Sequence, residues 1–271
     1  MIYLNYLGKM GQLGNQMFQY AALKGIASHK GYEFCIPNHN ELIVDALGNR
    51  LRIELFAPFK LKNFSEKNIG VADLNSTSIV EERHFHFDED LFNNCVDNSC
   101  LVGYFQTEKY FSHIREELLE DFEFIGDIQN PCNEMMSDTT HPIALHIRRG
   151  DFLRNSGNHH NLQLDYYESA LKLFEDDRQV IIFSDDPVWC KEQTIFKDDR
   201  FLISEADNPY VDLCLMSMCS DFIIANSTFS WWGAWLSQNS NKKVVAPSKW
   251  FGPNNQHHDI KDLFPENWVV I

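Results

Sequence analysis

Two adjacent arginines at the end of an apolar run are the residues of this chain best suited to bind an anion. Arg148 and Arg149 follow the run 142–147 and precede Gly150 and Asp151. Planar guanidinium groups match phosphate oxygens, and a glycine lets the backbone turn sharply or come close to a ligand. The alternative is a structural pair, salt-bridged to a neighbouring helix. The tripeptide at 149–151 is also an RGD sequence, but it ends a predicted buried strand, which argues against adhesion.

Polar residues also follow two further apolar runs. Ser184, Asp185 and Asp186 follow the run 180–183, and Asn226, Ser227, Thr228 and Ser230 follow the run 222–225. The hydroxyls after the run 222–225, with the backbone amides at a helix N-terminus, would form a second binding site for an anion. Asp185 can accept two hydrogen bonds from a guanine base. Taken singly, Ser227 could be only a helix N-cap and Asp185 only part of a turn before Pro187.

A glycine-rich segment near the start of the chain is also suited to bind an anion. Gly8, Gly11 and Gly14 lie between a predicted strand, 2–7, and a predicted helix, 15–28. This arrangement points backbone N–H groups and a helix dipole at an anion. The GxxGxxG spacing is neither the dinucleotide-binding pattern nor a P-loop, and tight packing without a ligand is the alternative. Together, these segments predict a nucleotide diphosphate held between two domains.

The elements that would position these residues alternate regularly in the second half of the chain. The run 142–147 reads as a buried central strand, and further strands are predicted at 180–183, 201–203, 222–225 and 243–246, the last of the chain. Helices are predicted at 165–174, from Pro187, at 209–219 and at 227–236. The pattern predicts a doubly wound parallel sheet, in which ligands lie outside the carboxyl ends of the strands.

The first half is less regular. Strands are predicted at 32–36 and 84–88, an extended stretch at 51–56, and a helix at 110–122. His84 and His86 alternate like a metal pair, but without a third ligand they are interpreted as surface positions of a strand. The polar stretch 126–140 is predicted to be a loop that contains the domain boundary. The predicted domains are 1–138, with the glycine-rich loop, and 139–250, Rossmann-like; the tail 251–271 could cross back to the first.

Composition limits the classes of function. The chain has 271 residues, 44% of them hydrophobic, and a net charge of −16, which argues against nucleic acid as a main partner. Seven cysteines without a CxxC pair argue against a metal or redox framework and fit a reducing compartment; a Cys95–Cys100 bridge is not expected. We expect no signal peptide and no membrane span, hence a cytoplasmic protein. Trp231, Trp232 and Trp235 are expected in the core rather than stacked on sugar.

Four segments in order carry a resemblance to a known family: GQLGNQMFQYA at 11–21, HIRRGDF at 146–152, FSDD at 183–186 and ANSTFSWWGAWL at 225–236. Together they resemble the family 11 glycosyltransferases, the bacterial α-1,2-fucosyltransferases. The resemblance implies an α/β, GT-B-like fold of two Rossmann-like domains, with the donor site in the cleft between them. It implies transfer of L-fucose from GDP-β-L-fucose to O2 of a terminal galactose in a glycan, with inversion to an α-linkage and without a metal ion or cofactor.

The resemblance also implies roles for residues on the donor. Arg148 is expected on the β-phosphate, where it would neutralise the growing charge of the leaving group, and Arg149 to assist or to hold the loop. The residues expected to bind the donor are Gly14, Asn15, Gln16, Arg148, Arg149, Ser184, Asp185, Asn226, Ser227, Thr228 and Phe229. Asn15 is placed near the phosphate or fucose, Asp185 on guanine, and Ser227 and Thr228 on the phosphates or ribose.

The sequence identifies the catalytic base and the residues of the acceptor site less clearly. Asp151 is the first candidate for the base that takes the acceptor's proton, His146 is the second, and a dissociative reaction could proceed with little base assistance. The first domain is expected on the acceptor side, with residues 38–140 shaping that site. The competing hypotheses are another GDP-sugar or O-fucosyl transferase with a different acceptor, and a non-catalytic GDP-sugar or glycan-binding module. The absence of a predicted span leaves peripheral attachment to an inner membrane open.

Overall fold

The computed structural model describes residues 1–40, 43–44 and 50–271. Residues 41, 42 and 45–49, which belong to the stretch 38–140 expected to shape the acceptor site, lie outside the described residues. The chain forms two compact units: Met1–Ile125 with Asp259–Pro265, and Gly126–His258 with Glu266–Ile271. Within the described ranges, none of the helices combines the length and the apolar character that a membrane span requires.

The described part of the first unit is built on a parallel sheet. Its strands are β1 (Ile2–Tyr3), β2 (Phe34–Cys35), β5 (Ser78–Glu81) and β6 (Ser99–Val102), and β3 (Ile43–Val44) and β4 (Arg50–Leu51) form a separate antiparallel pair. The order in the sheet is β2-β1-β6-β5, with parallel pairing throughout. The carboxyl ends of β1, β6 and β5 therefore lie side by side at one edge.

One long helix dominates the core of this unit. The helices are α1 (Leu13–Lys30), α2 (Glu89–Asn94) and α3 (Arg115–Asp121), with 3-10 turns at Glu66–Asn68, Glu108–Tyr110 and Ser112–Ile114. From residue 13 to residue 27, every residue of α1 is buried except Asn15. Gly25 allows α1 to pack closely, because a Cβ there would lie 2.1 Å from the carbonyl oxygen of Tyr110. The helix ends at Gly31, whose φ of 68° is the left-handed conformation that favours glycine.

The second unit has the doubly wound sheet that the sequence predicts. Its strands are β7 (Ile143–Ile147), β8 (Val180–Ser184), β9 (Phe201–Ile203), β10 (Asp221–Ile223), β11 (Val244–Ala246) and β12 (Val269–Val270). Its helices are α4 (Gly126–Met136), α5 (Gly150–Arg154), α6 (Leu164–Leu171), α7 (Pro187–Glu192), α8 (Pro209–Ser217) and α9 (Thr228–Leu236), with a 3-10 turn at Thr194–Phe196. The strand order is β12-β11-β10-β7-β8-β9, all parallel. The order reverses between β7 and β10, which is where doubly wound sheets bind ligands.

The core of this unit confirms two predictions. Strand β7 is buried along its whole length, as expected for a central strand of a parallel sheet. Trp231, Trp232 and Trp235 of α9 are at most 2% exposed and pack on one another, with ring centroids 5.0–6.3 Å apart. They are core residues, as the sequence indicates.

The stretch predicted as a strand at 84–88 is instead irregular, with bends at 84–86. The reason is local: Asp88 is the N-cap of α2, where its Oδ1 accepts the N–H of Leu91 at 3.0 Å. Arg83 fixes the same carboxylate through Nε and Nη2, at 2.8 and 2.6 Å. The alternation of His and Phe therefore reflects the approach to a capped helix rather than a pleated strand.

The prediction of a loop at 126–140 is also wrong, because residues 126–136 form α4 with Pro131 inside it. Ile128 and Cys132, four residues apart, are buried, and α4 packs against α8. Burial of this narrow apolar stripe outweighs the cost of a proline within a helix. The first unit ends just before this helix, at Ile125.

Smaller differences concern the ends of elements. The strand predicted at 2–7 has only two residues. The stretch predicted as extended at 51–56 contributes only its first residue to β4. The helix predicted at 110–122 is α-helical only from Arg115. The strand predicted as the last is followed by β12 at the sheet edge. In the tail 251–271, residues 259–265 belong to the first unit and residues 266–271 to the second. All seven cysteines are buried thiols.

Candidate functional site

Strand β7 delivers Arg148 to the point where the strand order of the second sheet reverses. Ile147, the last residue of β7, pairs with Ser184, so Arg148 and Asp185 follow neighbouring strand ends. On its other side, β7 pairs with β10, which leads to Asn226 and the start of α9. Three of the predicted polar segments therefore share the carboxyl edge of one sheet, as their positions after strands predict.

Arg148 lies between two carboxylates. Its Nη2 is 2.7 Å from Asp151 Oδ1, and its Nε is 3.2 Å from Asp185 Oδ2. Both Arg148 Nε and Asp151 Oδ1 are buried, and neither makes a hydrogen bond, so the two contacts are ion pairs without hydrogen-bond geometry. The guanidinium is therefore held by charge and keeps hydrogen-bonding capacity for an anionic ligand.

Arg149 is committed to the loop that follows the strand. Its backbone N–H donates to Asp185 Oδ1 at 2.8 Å, and its Nε donates to Asp186 Oδ2 at 3.2 Å. The guanidinium carbon also lies 3.8 Å from the centre of the Trp189 ring. Of the two expected roles of Arg149, holding the loop is the one that these contacts support.

The turn after β8 is closed by its own side chains. Ser184 Oγ accepts the backbone N–H of Asp186 at 3.0 Å, and Asp186 Oδ1 caps α7 by accepting the N–H of Trp189 at 3.1 Å. Asp185 faces Arg148 and the backbone of Arg149 with its two oxygens. Binding of guanine by Asp185 would therefore have to compete with these arginine contacts.

Gly150 is required by a close approach rather than by an unusual backbone conformation. A Cβ at this position would lie 2.6 Å from Asp185 Oδ2, well inside van der Waals contact. The neighbour that needs the space is therefore the carboxylate that pairs with Arg148.

His146 is an inward-facing residue of β7 and is 4% exposed. Burial, aided by the positive charge of Arg148, lowers the pKa of His146 to about 3. Its Nδ1 is buried without a hydrogen-bond partner, and its ring lies 5.7 Å from that of Phe229. At neutral pH the ring is uncharged, and so low a pKa makes His146 a weak proton acceptor.

The segment between β10 and α9 places polar groups next to β7. Asn226 is 3% exposed, and its Nδ2 donates to the carbonyl oxygens of His160 and Trp250, both at 2.8 Å, while its Oδ1 is buried without a partner. Ser227 is the N-cap of α9, with Oγ accepting the N–H of Phe229 at 3.3 Å. Thr228 is the first residue of the helix.

The glycine-rich segment belongs to the first unit. Gly8 and Gly11 have φ of 83° and 85° and form the loop after β1, whereas Gly14 is already the second residue of α1. The amide of Gln16 is fully used to hold this loop: Nε2 donates to the carbonyl oxygens of Gly11 and Arg52 at 3.3 and 3.1 Å, and Oε1 accepts the N–H of Glu54 at 2.7 Å. Gln16 therefore holds the backbone of the glycine-rich loop in place.

Asn15 reaches a different group of residues in the same unit. Its Oδ1 accepts from Gln106 Nε2 at 3.0 Å. Gln106 is in the segment after β6, which also contacts Glu82, the residue that follows β5. Sequence reasoning missed Glu82 and Gln106. The sequence signal for them was weak: Glu82 directly follows the short segment 78–81, and Gln106 lies four residues after the segment 99–102.

The structure thus sorts the predicted residues into two sets. Arg148, Arg149, Asp151, Ser184 and Asp185 form one cluster in the second unit, and Asn226, Ser227, Thr228 and Phe229 follow the adjacent strand β10. Gly14, Asn15 and Gln16 lie in the first unit. In the second unit, the guanidinium of Arg148 and the helix N-terminus that follows β10 can hold an anion, whereas Arg149 is committed to its loop.

Comparison with known proteins connects this arrangement to one family. The model of glycosyl transferase family 11 matches residues 3–271. The O-antigen biosynthesis glycosyltransferase WbnK of Escherichia coli is 31% identical, over 96% of this chain and 98% of that protein. An alpha-1,2-colitosyltransferase of Escherichia coli is 30% identical over 96% of both chains. A galactoside 2-alpha-L-fucosyltransferase, SEC1 of Bos taurus, is 26% identical over 85% of this chain and 63% of that protein.

Solved structures show the same fold at low sequence identity. POFUT1 in complex with GDP-fucose has a TM-score of 0.53 and is 13% identical, covering 90% of this chain and 96% of its own. The fucosyltransferase NodZ from Bradyrhizobium has a TM-score of 0.52 and is 12% identical, covering 86% of this chain and 92% of its own. Two α/β units with parallel sheets, as found here, agree with the GT-B-like fold that the sequence predicts.

Proposed function

Because this chain belongs to glycosyltransferase family 11, we propose that it transfers L-fucose from GDP-β-L-fucose to O2 of a terminal galactose in a glycan. The product is an α-1,2 linkage, formed with inversion at the anomeric carbon. The observation that carries the proposal is Arg148, an ion-paired guanidinium with a buried Nε that makes no hydrogen bond, at the switch point of a doubly wound sheet.

Arg148 acts on the leaving group. When the bond between the anomeric carbon and the diphosphate breaks, its electron pair leaves with GDP and negative charge grows on the β-phosphate. A guanidinium near that phosphate stabilises the transition state more than the ground state, because the charge is largest there. This cation supplies the charge that a metal ion would otherwise supply, so we propose a reaction that needs neither metal nor cofactor.

The groups after β10 bind the rest of the donor. Backbone N–H groups at the start of α9 face outward from the helix and favour a phosphate. Asn226 Oδ1 is an acceptor without a partner, and a ribose hydroxyl or a guanine N–H would satisfy it. Ser227 and Thr228 lie at the same helix start and contact the phosphates or ribose. When the donor binds, its phosphates replace Asp185 as the partner of Arg148. Asp185 then accepts hydrogen bonds from guanine.

The Gly14–Gln16 segment has a supporting part on the donor. Asn15 is the one residue of α1 between positions 13 and 27 that reaches the surface, and it contacts the phosphate or fucose. Gln16 acts indirectly, because its amide fixes the loop at Gly11. Neither role requires that Gln16 touch the donor.

The names of the relatives support the sugar and the linkage. One relative is a galactoside 2-alpha-L-fucosyltransferase, and the solved structure of POFUT1 contains GDP-fucose. A second candidate is transfer of colitose, the 3-deoxy form of L-fucose, and the observation that favours it is the 30% identical alpha-1,2-colitosyltransferase. The two differ by one hydroxyl on the donor, so the donor test must compare them directly.

One experiment tests the function. The protein is incubated with EDTA, a panel of β-galactosides, and either GDP-fucose or its 3-deoxy analogue, and GDP release and fucosylated product are measured. We expect product with EDTA present, faster with GDP-fucose, and a 1,2 linkage by NMR. A higher kcat/KM for the 3-deoxy donor would favour the colitosyl alternative. Tight GDP binding without turnover on any acceptor would contradict an enzymatic role and favour a GDP-sugar-binding module.

A further inference from the structure

A second cluster of polar groups lies at the carboxyl edge of the first sheet. Strands β1, β6 and β5 are adjacent and parallel, so the segments that follow them meet at this edge. These segments are the glycine-rich loop with the start of α1, residues 103–106, and Glu82. The carboxyl edge is where parallel α/β sheets bind ligands.

The backbone after β6 holds the carboxylate of Glu82 in one place. The carboxylate accepts the backbone N–H groups of Tyr104 and Phe105 at 2.9 and 3.0 Å. Gly103 permits this contact, because a Cβ there would lie 2.6 Å from Cβ of Glu82. Phe105, which is fully buried, adopts a φ of 54°, a left-handed conformation that is unfavourable for a residue of its size. A strained backbone beside an anchored carboxylate is typical of functional sites.

The segment 103–106, which anchors Glu82, also involves two buried glutamines whose acceptor oxygens have no partners. Gln19, 1% exposed, donates from Nε2 to the carbonyl oxygens of Met10 and Gly103, and its Oε1 has no partner. Gln106, 7% exposed, donates to Asn15, and its Oε1 has no partner either. A buried acceptor without a hydrogen-bond partner is unfavourable, and a ligand that donates a hydrogen bond to it removes this cost. All three groups accept hydrogen bonds, so the ligand that fits them carries several donors, as the hydroxyls of a sugar do.

We propose that this edge of the first unit binds the acceptor sugar and that Glu82 takes the proton of the attacking hydroxyl, an inference that rests on the proposed function. The hydroxyl oxygen uses a lone pair to form the new bond to the anomeric carbon of fucose. The bond from that carbon to the diphosphate breaks, and its electron pair leaves with GDP. The hydroxyl proton passes to the carboxylate of Glu82, and Gln19 and Gln106 orient neighbouring hydroxyls.

Proton affinity distinguishes Glu82 from His146, and the absence of an arginine partner on its carboxylate distinguishes it from Asp151, among the described contacts. Burial raises the pKa of Glu82 to about 7, with a smaller contribution from the negative charge of Asp88 and opposed by the two backbone N–H groups. Among the described residues, Arg83, the next residue in the chain, pairs with Asp88, and the phenol of Tyr110 also interacts with Glu82. A base whose pKa lies near the working pH is the most efficient. Asp151 is instead paired with Arg148, and the pKa of His146 is about 3.

The test is Glu82→Gln, with Glu81→Gln as the matched control. Glu81 is exposed, and as the preceding residue of β5 it points to the opposite face of the sheet. At saturating GDP-fucose and varied β-galactoside, we expect Glu82→Gln to lower kcat about 100-fold and to remove the acidic limb near pH 7 from the pH profile of kcat/KM for the galactoside. The Kd for GDP should stay within about twofold of wild type. Glu81→Gln should retain both the rate and the limb, and a thermal melt verifies that each variant is folded.

Binding gives a second measurement that needs no turnover. Titration of the GDP-loaded protein with methyl β-galactoside, followed by NMR, should show at least tenfold weaker binding to Gln106→Leu than to wild type. A folded Glu82→Gln that keeps the rate and the acidic limb, with wild type making the expected product, contradicts the role of Glu82 and leaves the proposed function intact. Wild type without product on any acceptor contradicts the proposed function and this inference with it. Equal galactoside binding by Gln106→Leu contradicts the acceptor site.

Discussion

Replacing Arg148 by alanine isolates the effect of the cation on the leaving group. In a partly buried site, where the effective dielectric constant is near 20, two unit charges about 4 Å apart interact by roughly 4 kcal/mol. The guanidinium is 22% exposed, so this regime applies to it. The leaving diphosphate gains between half and one full charge in the transition state. The loss is therefore roughly 2–4 kcal/mol, or about 30- to 1,000-fold in kcat.

The substitution should also weaken donor binding. Without Arg148, Asp151 and Asp185 remain as two carboxylates next to the donor phosphates, so the KM for GDP-fucose should rise. Both constants are measured from GDP release, with the fucosylated product quantified by chromatography. Arg154→Ala, which removes an exposed arginine six residues away, is the charge-matched control and should stay within about twofold. A folded Arg148→Ala protein with more than a tenth of the wild-type kcat would refute the assignment.

Three further predictions concern the neighbours of this site and the core. Gly150→Ala places a methyl group against Asp185, so we expect about a tenfold loss of kcat/KM with circular dichroism unchanged; an unaltered rate would contradict the close approach. Lys24→Met leaves the buried carboxylate of Asp121 without its cation, 2.6 Å away, and should lower the free energy of unfolding in urea by roughly 3–5 kcal/mol; adding Asp121→Leu should recover part of the loss. His146 has a pKa near 3 in the folded protein and about 6.5 in the unfolded chain, so unfolding takes up a proton between these pH values. The free energy of unfolding should therefore fall by roughly 1 kcal/mol per pH unit as the pH drops below 6. His146→Gln should flatten this pH dependence, and an equal slope in both proteins would contradict it.

Much of the second unit could be predicted from local pattern. Strand 201–203 coincides with β9, and the helix that Pro187 was expected to begin does begin there. Such elements are determined by neighbours in the chain, since hydrophobic period, caps and proline act over a few residues. The first unit was harder, because its strands are only two to four residues long in the described part and its regular structure depends on pairing between distant segments.

The failures have the same physical origin. The stretch 126–140 is polar and contains Pro131, and only packing on α8 makes it a helix. The residues 84–88 alternate like a strand, and only the capping of α2 by Asp88 shows why they bend. In each case a tertiary contact or a cap outweighs the local preference of the chain.

The sequence by itself determined that an apolar strand ends in Arg148 and Arg149, that further polar segments follow strands of the same sheet, and that these segments resemble one family. Only the tertiary structure decided which partner each charge has. Arg148 pairs with Asp185, 37 positions along the chain, and the burial of His146 sets its pKa. Glu82 is anchored by residues 104 and 105, which follow another strand, and its burial raises its pKa against the effect of these two N–H groups. Pairing and desolvation depend on neighbours in space, and the local pattern of the chain contains little information about them.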